Sequence, residues 1–192
     1  SIPIISPLMR DLVANDIKSI KAIINGTTNY ILTRMANEQA DYQQVLQEAQ
    51  KLGYAESDPT SDVEGIDAAY KLSILSTLAF RASVKDTDIY TEGITNLTDK
   101  DFLYAKELGY SIKLLAIATR TDSSVLGRVH PALIPEDQML AKVDHALNAV
   151  EVETDLADKI LFHGPGAGSM PTSSAVVADI VNIARTIAGG TD

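Results

Sequence analysis

The sequence predicts a single α+β domain in which helices cover a mixed β-sheet whose strands are mostly sequential. The 192 residues are 45% apolar and 22% charged, which is typical of a globular chain that can bury a sizeable core. Helical periodicity dominates up to Leu108, and strand alternation dominates the region that follows. No linker rich in Gly, Pro or Ser divides the chain, so residues 1–192 are treated as one domain.

The first half of the chain is predicted to be mainly helical, with one early strand. Apolar and polar residues alternate over 17–24, which is typical of a strand, and the Asn25-Gly26 pair that follows indicates a turn. Several helices follow a residue that can cap an N-terminus, and two end at a glycine suited to a left-handed conformation. In chain order the predicted helices are 7–13 after Ser6, 29–37 after Thr27 or Thr28, 42–52 between Asp41 and Gly53, 65–80, and 100–108 between Asp99 and Gly109, with a short strand at 89–94.

The second half is predicted to supply most of the sheet. Strand-like segments occur at 110–119, 124–131, 146–153 and 159–162, with a short helix at 135–143 between the second and the third. A glycine-rich turn at 164–168 then leads into a helix from about 172 to 188. Because several strands follow one another, we expect them to form a mixed sheet with helices on one face.

The composition argues against several classes of function. A net charge of −10 argues against nucleic acid as the main partner, because neutralising phosphates requires Lys and Arg. The absence of cysteine excludes disulfides, thiolate zinc sites and a Cys nucleophile, and it fits a reducing compartment. No apolar run is long enough to span a bilayer and no leader pattern is present, so we expect a cytoplasmic protein without a membrane partner.

The helix predicted at 65–80 carries an acid and a base on its apolar stripe. Helical spacing places Asp67 and Lys71 in line with Ile74, and Leu75 and Leu78 continue the same stripe. We expect the stripe to enter the core at Ile74 and to leave the charged pair at its rim, beside a cleft. The alternative is an ordinary solvated pair one turn apart, which would contribute only ~0.2–0.5 kcal/mol.

An acidic loop precedes this pair, with carboxylates at Glu56, Asp58, Asp62 and Glu64. Like charges at this density repel one another unless they are solvated or matched by a cation. Three interpretations stay open: a solvated loop, a Ca²⁺ site, and a site for a cationic substrate group such as the ammonium of an amino acid. The spacing does not match an EF-hand loop. If the third interpretation holds, a lysine facing these acids is available for acid–base chemistry on a neighbouring oxygen.

Four motifs in this order resemble the catalytic and dimerisation portion of homoserine dehydrogenase. They are IPII at 2–5, INGTTNYIL at 24–32, LGYAESDP at 52–59 followed by Asp62, Gly65, Asp67 and Lys71, and GAG with PTSSAV within 166–176. The third motif is long and specific, and the others are weaker alone. The resemblance covers nearly the whole chain.

The resemblance implies an enzyme that interconverts L-homoserine and L-aspartate 4-semialdehyde with NAD(P)(H), on the route to threonine, methionine and isoleucine. It implies that Lys71 is the acid–base residue and that Asp67 positions it. Glu56 is implied to bind the substrate ammonium, with Asp62 in the same pocket. The remaining residues implied to line that pocket are Thr27, Tyr54 and Gly53.

The resemblance also implies features that depend on a longer protein. Gly166, Ala167 and Gly168 are implied to lie close to the cofactor, and Ile2 to belong to a partial site for Na⁺ or K⁺. A Rossmann domain is expected upstream of Ser1, so the 192-residue chain alone is expected to be inactive. A homodimer is expected. Two alternatives remain: a dehydrogenase for another small amino or hydroxy acid, and a non-catalytic dimerisation or ligand-binding module.

Overall fold

The computed structural model describes residues 1–189 and confirms the α+β class. The strands are β1 (Ile17–Ile23), β2 (Tyr90–Thr91), β3 (Tyr110–Arg120), β4 (Val125–Pro135), β5 (Leu147–Thr154) and β6 (Lys159–Pro165). The α-helices are α1 (Gly26–Glu38), α2 (Tyr42–Lys51), α3 (Thr60–Val63), α4 (Ile66–Phe80), α5 (Asp99–Glu107) and α6 (Ser169–Gly189). A π-helical turn at Pro7–Asp11 and 3₁₀ turns at Asp86–Asp88 and Met139–Lys142 complete the elements.

The six strands form one mixed sheet in the order β2-β4-β3-β1-β5-β6. Only the short edge strand β2 runs parallel to its neighbour, β4, and the other described pairs are antiparallel. The first strand lies in the middle, where Ala22 pairs with Ala116 on one side and Val150 on the other. Side chains on both faces of this strand are buried, as expected for a strand in the middle of a sheet covered on both sides.

Helices cover one face of this sheet, as the sequence predicts. The main core combines α1 and α4 with the strands beneath them, and it includes the fully buried side chains of Ile20, Ile31 and Leu72. A smaller core on the opposite face packs Leu115 and neighbouring strand residues against the turn Met139–Lys142. The sheet is therefore thickly covered on one side and thinly covered on the other.

The predicted cap Ser6 is wrong, because its side chain makes no capping hydrogen bond at the turn Pro7–Asp11. Two further predicted caps are wrong by one to three residues. The N-cap of α1 is Asn25, whose side chain accepts a hydrogen bond from the Thr28 backbone N–H at 2.9 Å, so the helix begins earlier than predicted. The N-cap of α5 is Thr98, which forms a capping box with Asp101. In both cases the capping side chain sits upstream of the predicted one. Asp41 is confirmed as the cap of α2.

Pairing across the sheet changes the strand boundaries. Strands β3 and β4 pair over their full length, from Arg120 opposite Val125 to Tyr110 opposite Pro135. This pairing extends β4 into the helix predicted at 135–143, so only the 3₁₀ turn at Met139–Lys142 remains. The strand predicted at 89–94 shrinks to the two residues of β2.

The buried stripe of α4 is rotated by one residue from the predicted one. Ala68, Leu72, Leu75 and Ala79 are buried at helical spacing. Ile74 is instead 57% exposed, so the expectation that it enters the core is wrong, while Leu75 is confirmed as buried. The reason is that apolar residues surround this helix, and the small Ala68 and Ala69 can approach the sheet more closely than the charged residues can. Lys71 consequently lies at the edge of the packed face.

A second lysine–aspartate pair lies on the thinly covered face of the sheet. Lys113 on β3 is only 3% exposed, and its Nζ donates to the Val143 carbonyl at 2.6 Å and to Asp144 Oδ1 at 2.9 Å. Burial lowers the pKa of Lys113, and the hydrogen bond to Asp144 partly opposes that shift.

The last helix, α6, makes little contact with the rest of residues 1–189, although its Thr172 hydroxyl lies 3.5 Å from Ser1 Oγ. None of its 21 residues is buried, and large apolar side chains such as Met170 and Ile187 are 80% and 75% exposed. Across residues 1–189, no helix combines the length and the apolar character that crossing a bilayer requires. Exposed apolar surface of the extent seen on α6 commonly marks an interaction site.

Candidate active site

The predicted acid–base pair forms at the N-terminal end of α4. Gly65 has φ +79° and lets the chain turn sharply into the helix, which places Asp67 in the first turn. One turn later, Lys71 Nζ donates to Asp67 Oδ2 at 2.6 Å and to the carbonyl of Ile24 at 3.2 Å. The Lys71 and Asp67 side chains are 49% and 29% exposed, so the pair lies at a rim, as the sequence predicts.

Asn25 links this pair to a second acid. Its Nδ2 donates to Asp62 Oδ1 at 2.7 Å and to Asp67 Oδ2 at 2.9 Å. Its Oδ1 meanwhile caps α1. Asn25 is 5% exposed, and hydrogen bonds from such a buried amide to charged groups contribute about 1.5–3 kcal/mol each. The structure thus joins Asp62, Asp67 and Lys71 in one network.

Sequence reasoning missed this role of Asn25. The only local signal was its place before a glycine, which indicates a turn. Its two acidic partners lie 37 and 42 residues away in the chain, so nothing in the local pattern identifies them.

The loop that carries Gly53 and Tyr54 is attached to α1 by backbone and ring contacts. Thr27 Oγ1 donates to the Tyr54 carbonyl at 2.8 Å, and the Tyr54 ring stacks on Tyr30 with centroids 4.3 Å apart. Gly53 has φ +79°, as expected for a residue that ends α2. Thr27, Gly53 and Tyr54 are therefore brought close to the network around Asn25, which starts the same helix.

Glu56 is the predicted acid that the structure does not bring into the network. Its side chain is exposed, and its backbone carbonyl accepts a hydrogen bond from Gln50 Nε2 at 2.9 Å. The other two acids of the loop bond elsewhere: Asp58 accepts from the nearby Thr60 hydroxyl, and Glu64 accepts from the Thr95 hydroxyl. Within residues 1–189 no group of acids or histidines is arranged to hold a metal ion.

A cavity of about 200 Å³ is lined by Lys71 of the charged pair, whereas Asp67 does not line it. Lys71 lines it together with Ile2 and Gly166, which come from the two ends of the described chain. The other lining residues are Ser1, Ile4, Ile5, Ile24, Ile74, Leu75, Asn148 and Val150. The Ile2 carbonyl already accepts a hydrogen bond from the Ile4 N–H at 2.9 Å. Ala167 and Gly168 do not line this cavity and instead lead into α6.

Asn148 is a second site residue that sequence reasoning missed. It lies on β5, is only 8% exposed, and lines the cavity. Its Oδ1 has no hydrogen-bond partner within the described part of the chain. A Cβ atom at Gly166 would lie 2.2 Å from Asn148 Nδ2, so the glycine is required for this side chain to fit. An asparagine near the start of a strand gives no sequence signal of this kind.

The chain matches the family model described as homoserine dehydrogenase over residues 3–181. It belongs to the homoserine dehydrogenase family. Homoserine dehydrogenase from Neisseria gonorrhoeae is 51% identical over 190 residues, which cover 99% of this chain and 44% of that protein. The chain therefore spans less than half the length of this relative.

Solved homoserine dehydrogenases have the same fold in this region. The crystal structure of the enzyme from Thiobacillus denitrificans superimposes with a TM-score of 0.95 at 53% identity, over 98% of this chain and 44% of that one. A hyperthermophilic archaeal homoserine dehydrogenase in complex with NADPH gives a TM-score of 0.79 at 29% identity, over 94% of this chain and 51% of that one. These matches confirm the predicted family and fold.

Proposed function

We propose that this chain is the substrate-binding and dimerisation domain of an NAD(P)-dependent homoserine dehydrogenase. The whole enzyme interconverts L-homoserine and L-aspartate 4-semialdehyde, a step in threonine, methionine and isoleucine synthesis. The observation that carries the proposal is the network of Lys71, Asp67, Asn25 and Asp62 beside a cavity that also reaches Gly166. One cation, two acids and an apolar cavity suit a small zwitterionic substrate next to a flat cofactor ring.

Lys71 is proposed to hold and move the proton of the substrate oxygen. Its ammonium has three hydrogens, and within residues 1–189 two of them bond to Asp67 and the Ile24 carbonyl. The third is available to a substrate oxygen in the cavity. In aldehyde reduction it stabilises the developing alkoxide and is then transferred to it. In alcohol oxidation, neutral Lys71 accepts the hydroxyl proton, and Asp67 stabilises the ammonium that results.

The acids of the preceding loop are proposed to bind the substrate ammonium. Asp62 lies in the network through Asn25, and Glu56 lies on the neighbouring exposed loop. Thr27, Tyr54 and Gly53 support that loop through the contacts between Thr27 and the Tyr54 carbonyl. Charge-assisted hydrogen bonds of this kind are about twice as strong as neutral ones, so they favour an amino acid over a plain hydroxy acid.

The residues around the glycine turn fit a dinucleotide cofactor. When bound, NAD(P)(H) supplies the hydride acceptor or donor for the reaction. Gly166 lines the cavity, and the Asn148 amide packed against it has an unpaired buried oxygen, so a hydrogen-bond acceptor is present beside the glycine turn. We propose that Gly166, Ala167 and Gly168 hold the cofactor together with residues of a Rossmann domain upstream of Ser1.

The remaining features of the proposal depend on the rest of the protein. The exposed apolar side of α6 is proposed to pack against the upstream domain, and the 192-residue chain alone is proposed to be inactive. A homodimer is proposed to form on the thinly covered face of the sheet, where Leu126 is 55% exposed. Ile2 supplies at most one carbonyl to a site for Na⁺ or K⁺, so upstream residues would provide the other ligands. A cytoplasmic location belongs to the same proposal.

A substrate panel tests this function in the full-length protein that contains the chain. NAD⁺ or NADP⁺ reduction is measured with L-homoserine, with 4-hydroxybutyrate, which lacks the ammonium, and with other small hydroxy acids. The proposal predicts turnover of L-homoserine and at least about 100-fold lower kcat/KM for 4-hydroxybutyrate, since several charge-assisted bonds are lost. Preference for another acid would indicate a related dehydrogenase, and no turnover with any alcohol would indicate a non-catalytic module. Either result contradicts the proposal.

A further inference from the structure

We propose that Asn148 recognises the cofactor by pairing its side-chain amide with the carboxamide of the nicotinamide ring. The inference rests on the proposed function, and it assigns one end of the cavity to the ring. Asn148 thereby becomes a binding residue for the reduced or oxidised cofactor. No part of the acid network around Lys71 is needed for this role.

The fold makes room for the Asn148 side chain in a specific way. Asn148 lies on β5 opposite Gly164 of β6, and its amide sits between Gly166 and Gly26. A Cβ at Gly166 would lie 2.2 Å from Asn148 Nδ2, and one at Gly26 would lie 3.6 Å from Oδ1. Any side chain at position 166 would therefore displace the amide. Glycine at that position keeps Asn148 next to the cavity.

The Asn148 oxygen is also unusual among the buried polar groups. Asn29 likewise has an unpaired oxygen, but its nitrogen donates to the carbonyls of Val143 and Leu147, and it does not line the cavity. Asn148 is more than nine-tenths buried and lines the cavity that holds Lys71. Because an unpaired buried acceptor is costly, a hydrogen-bond donor of the ligand is the natural partner for this oxygen.

The chemistry of the cavity favours a neutral carboxamide as that partner. The charged ammonium of the substrate is better matched by the acids Asp62 and Asp67, which bond to Asn25 and do not line the cavity beside Asn148. An amide offers one acceptor and one donor group, and a second carboxamide offers the complementary set. The rest of the cavity wall near Asn148 is largely apolar, which suits an aromatic ring. It is contributed by Ile2, Ile4, Ile5, Ile24, Ile74, Leu75 and Val150.

The test compares two cofactors that differ at one group. In the 3-acetylpyridine analogue of NAD⁺ or NADP⁺, a methyl replaces the carboxamide NH₂, so the donor to Asn148 is lost. Dissociation constants are measured by titration calorimetry on the full-length protein, using the natural cofactor that it binds more tightly. We expect the wild type to prefer the natural cofactor by about 5-fold, in line with one neutral hydrogen bond.

Asn148→Ala should bind both cofactors equally, with about 5-fold weaker binding of the natural one. Gly166→Ala should also bind the two cofactors equally, because the added methyl displaces the Asn148 amide although residue 148 is still asparagine. Asn96→Ala, at an exposed loop position, is the matched control and should keep the wild-type preference. The steady-state preference in kcat/KM should change in parallel.

Three results would overturn the inference. One is equal binding of the two cofactors by the wild type. This measurement needs no variant, so it is informative even if Asn148→Ala fails to fold. Another is a preference that persists in Asn148→Ala. The third is an effect of Asn148→Ala on the KM for L-homoserine alone, which would assign the residue to the substrate. A wild type that binds the cofactor with the expected preference but does not oxidise L-homoserine contradicts the proposed function instead.

Discussion

Two lysine–aspartate pairs on opposite sides of the sheet show how similar contacts serve different purposes. Lys71 and Asp67 are 2.6 Å apart on one helix, with side chains 49% and 29% exposed. Lys113 and Asp144 are 2.9 Å apart, and the Lys113 side chain is only 4% exposed. By burial alone, Lys113 is the more unusual residue, and burial lowers its pKa. It nevertheless lies away from the cavity.

The difference between the pairs lies in their neighbours. Lys113 donates to a backbone carbonyl and one carboxylate, and both connect the sheet to the turn after Met139–Lys142. Lys71 belongs to a network in which Asn25 holds Asp67 and Asp62 together, and it lines a cavity. We therefore propose a structural role for Lys113 and Asp144 and a chemical role for Lys71 and Asp67. In this molecule the lysine with the lowered pKa is the one that does not line the cavity.

The largest expected effect is on the chemical pair. Asp67→Ala in the full-length protein should lower kcat for L-homoserine by at least about 100-fold, because Lys71 loses the carboxylate that orients it and stabilises its charge. Asp99→Ala is the matched control, since it also removes an acid from the first turn of a helix. The control should lose a similar small amount of stability and keep kcat. Equal kcat in the two variants would remove Asp67 from the mechanism.

The second largest effect is expected for Asn25, which bonds to the two acids near Lys71. Asn25→Ala should lower kcat/KM for L-homoserine by about 10- to 100-fold, because Asp62 and Asp67 lose their shared donor. It should also lower the free energy of unfolding by about 3 kcal/mol or more, because α1 loses its N-cap and the two bonds to Asp62 and Asp67 are lost. Asp41→Ala removes only the cap of α2, which costs about 1 kcal/mol, and should leave the kinetics unchanged. A parallel kinetic loss in Asp41→Ala would mean that helix capping, not the network, explains the Asn25 result.

The structural pair should respond in stability instead of catalysis. Asp144→Ala should lower the free energy of unfolding by about 1–3 kcal/mol, because Lys113 stays buried with only the Val143 carbonyl as acceptor. Lys113→Met removes the buried charge itself and should change stability by less than about 1 kcal/mol. Urea unfolding followed by circular dichroism measures both. A larger loss in Lys113→Met than in Asp144→Ala would contradict this account.

The same pair predicts a pH dependence of stability. Because the folded pKa of Lys113 is lowered from 10.5, the unfolded chain binds the proton more tightly. The contribution of Lys113 to the free energy of unfolding therefore rises with pH between its lowered folded pKa and 10.5, and it is lost as the pH falls through that window. The difference between wild type and Lys113→Met should show this rise. A difference that stays flat up to pH 10.5 would contradict the assigned desolvation.

The smallest expected effect concerns the support of the chemical pair's loop. Tyr54→Leu removes the stack on Tyr30, which is worth about 0.5–1.5 kcal/mol, so the KM for L-homoserine should rise by roughly 2- to 10-fold with kcat preserved. Tyr90→Leu is the control, because Tyr90 is 61% exposed and lies on the edge strand. A fall in kcat without a change in KM would show that the stack positions the reacting groups instead of the binding loop.

The comparison also shows what the sequence can and cannot predict. The contact between Asp67 and Lys71 was predictable because residues four apart on a helix must be neighbours. The precise face of α4 was not, since Ile66, Tyr70 and Ile74 are apolar but exposed, and they blur the stripe. The bridge from Asn25 to the acids depends on contacts 37 and 42 residues apart in sequence, which local patterns do not encode.

The fold class was also predictable, because strands and helix ends leave local patterns in the sequence. Alternation along β1, β3 and β5 identifies the strands, and helix caps such as Asp41 identify boundaries to within a few residues. Strand pairing then decides the remaining boundaries, as when β4 extends to Pro135 opposite Tyr110. Burial of Asn148 between two glycines likewise appears only once β5 and β6 are paired and the start of α1 is in place.

A comparison of Lys71→Met with Lys113→Met in the full-length protein tests whether Lys71 carries the proton transfer. Both changes remove one ammonium and keep a long side chain, and kcat is measured for L-homoserine at saturating cofactor. We predict that Lys71→Met lowers kcat by about 1,000-fold or more, whereas Lys113→Met stays within about 3-fold of wild type. Comparable values of kcat in the two variants, or the reverse order, would contradict the assignment of Lys71 to the chemistry.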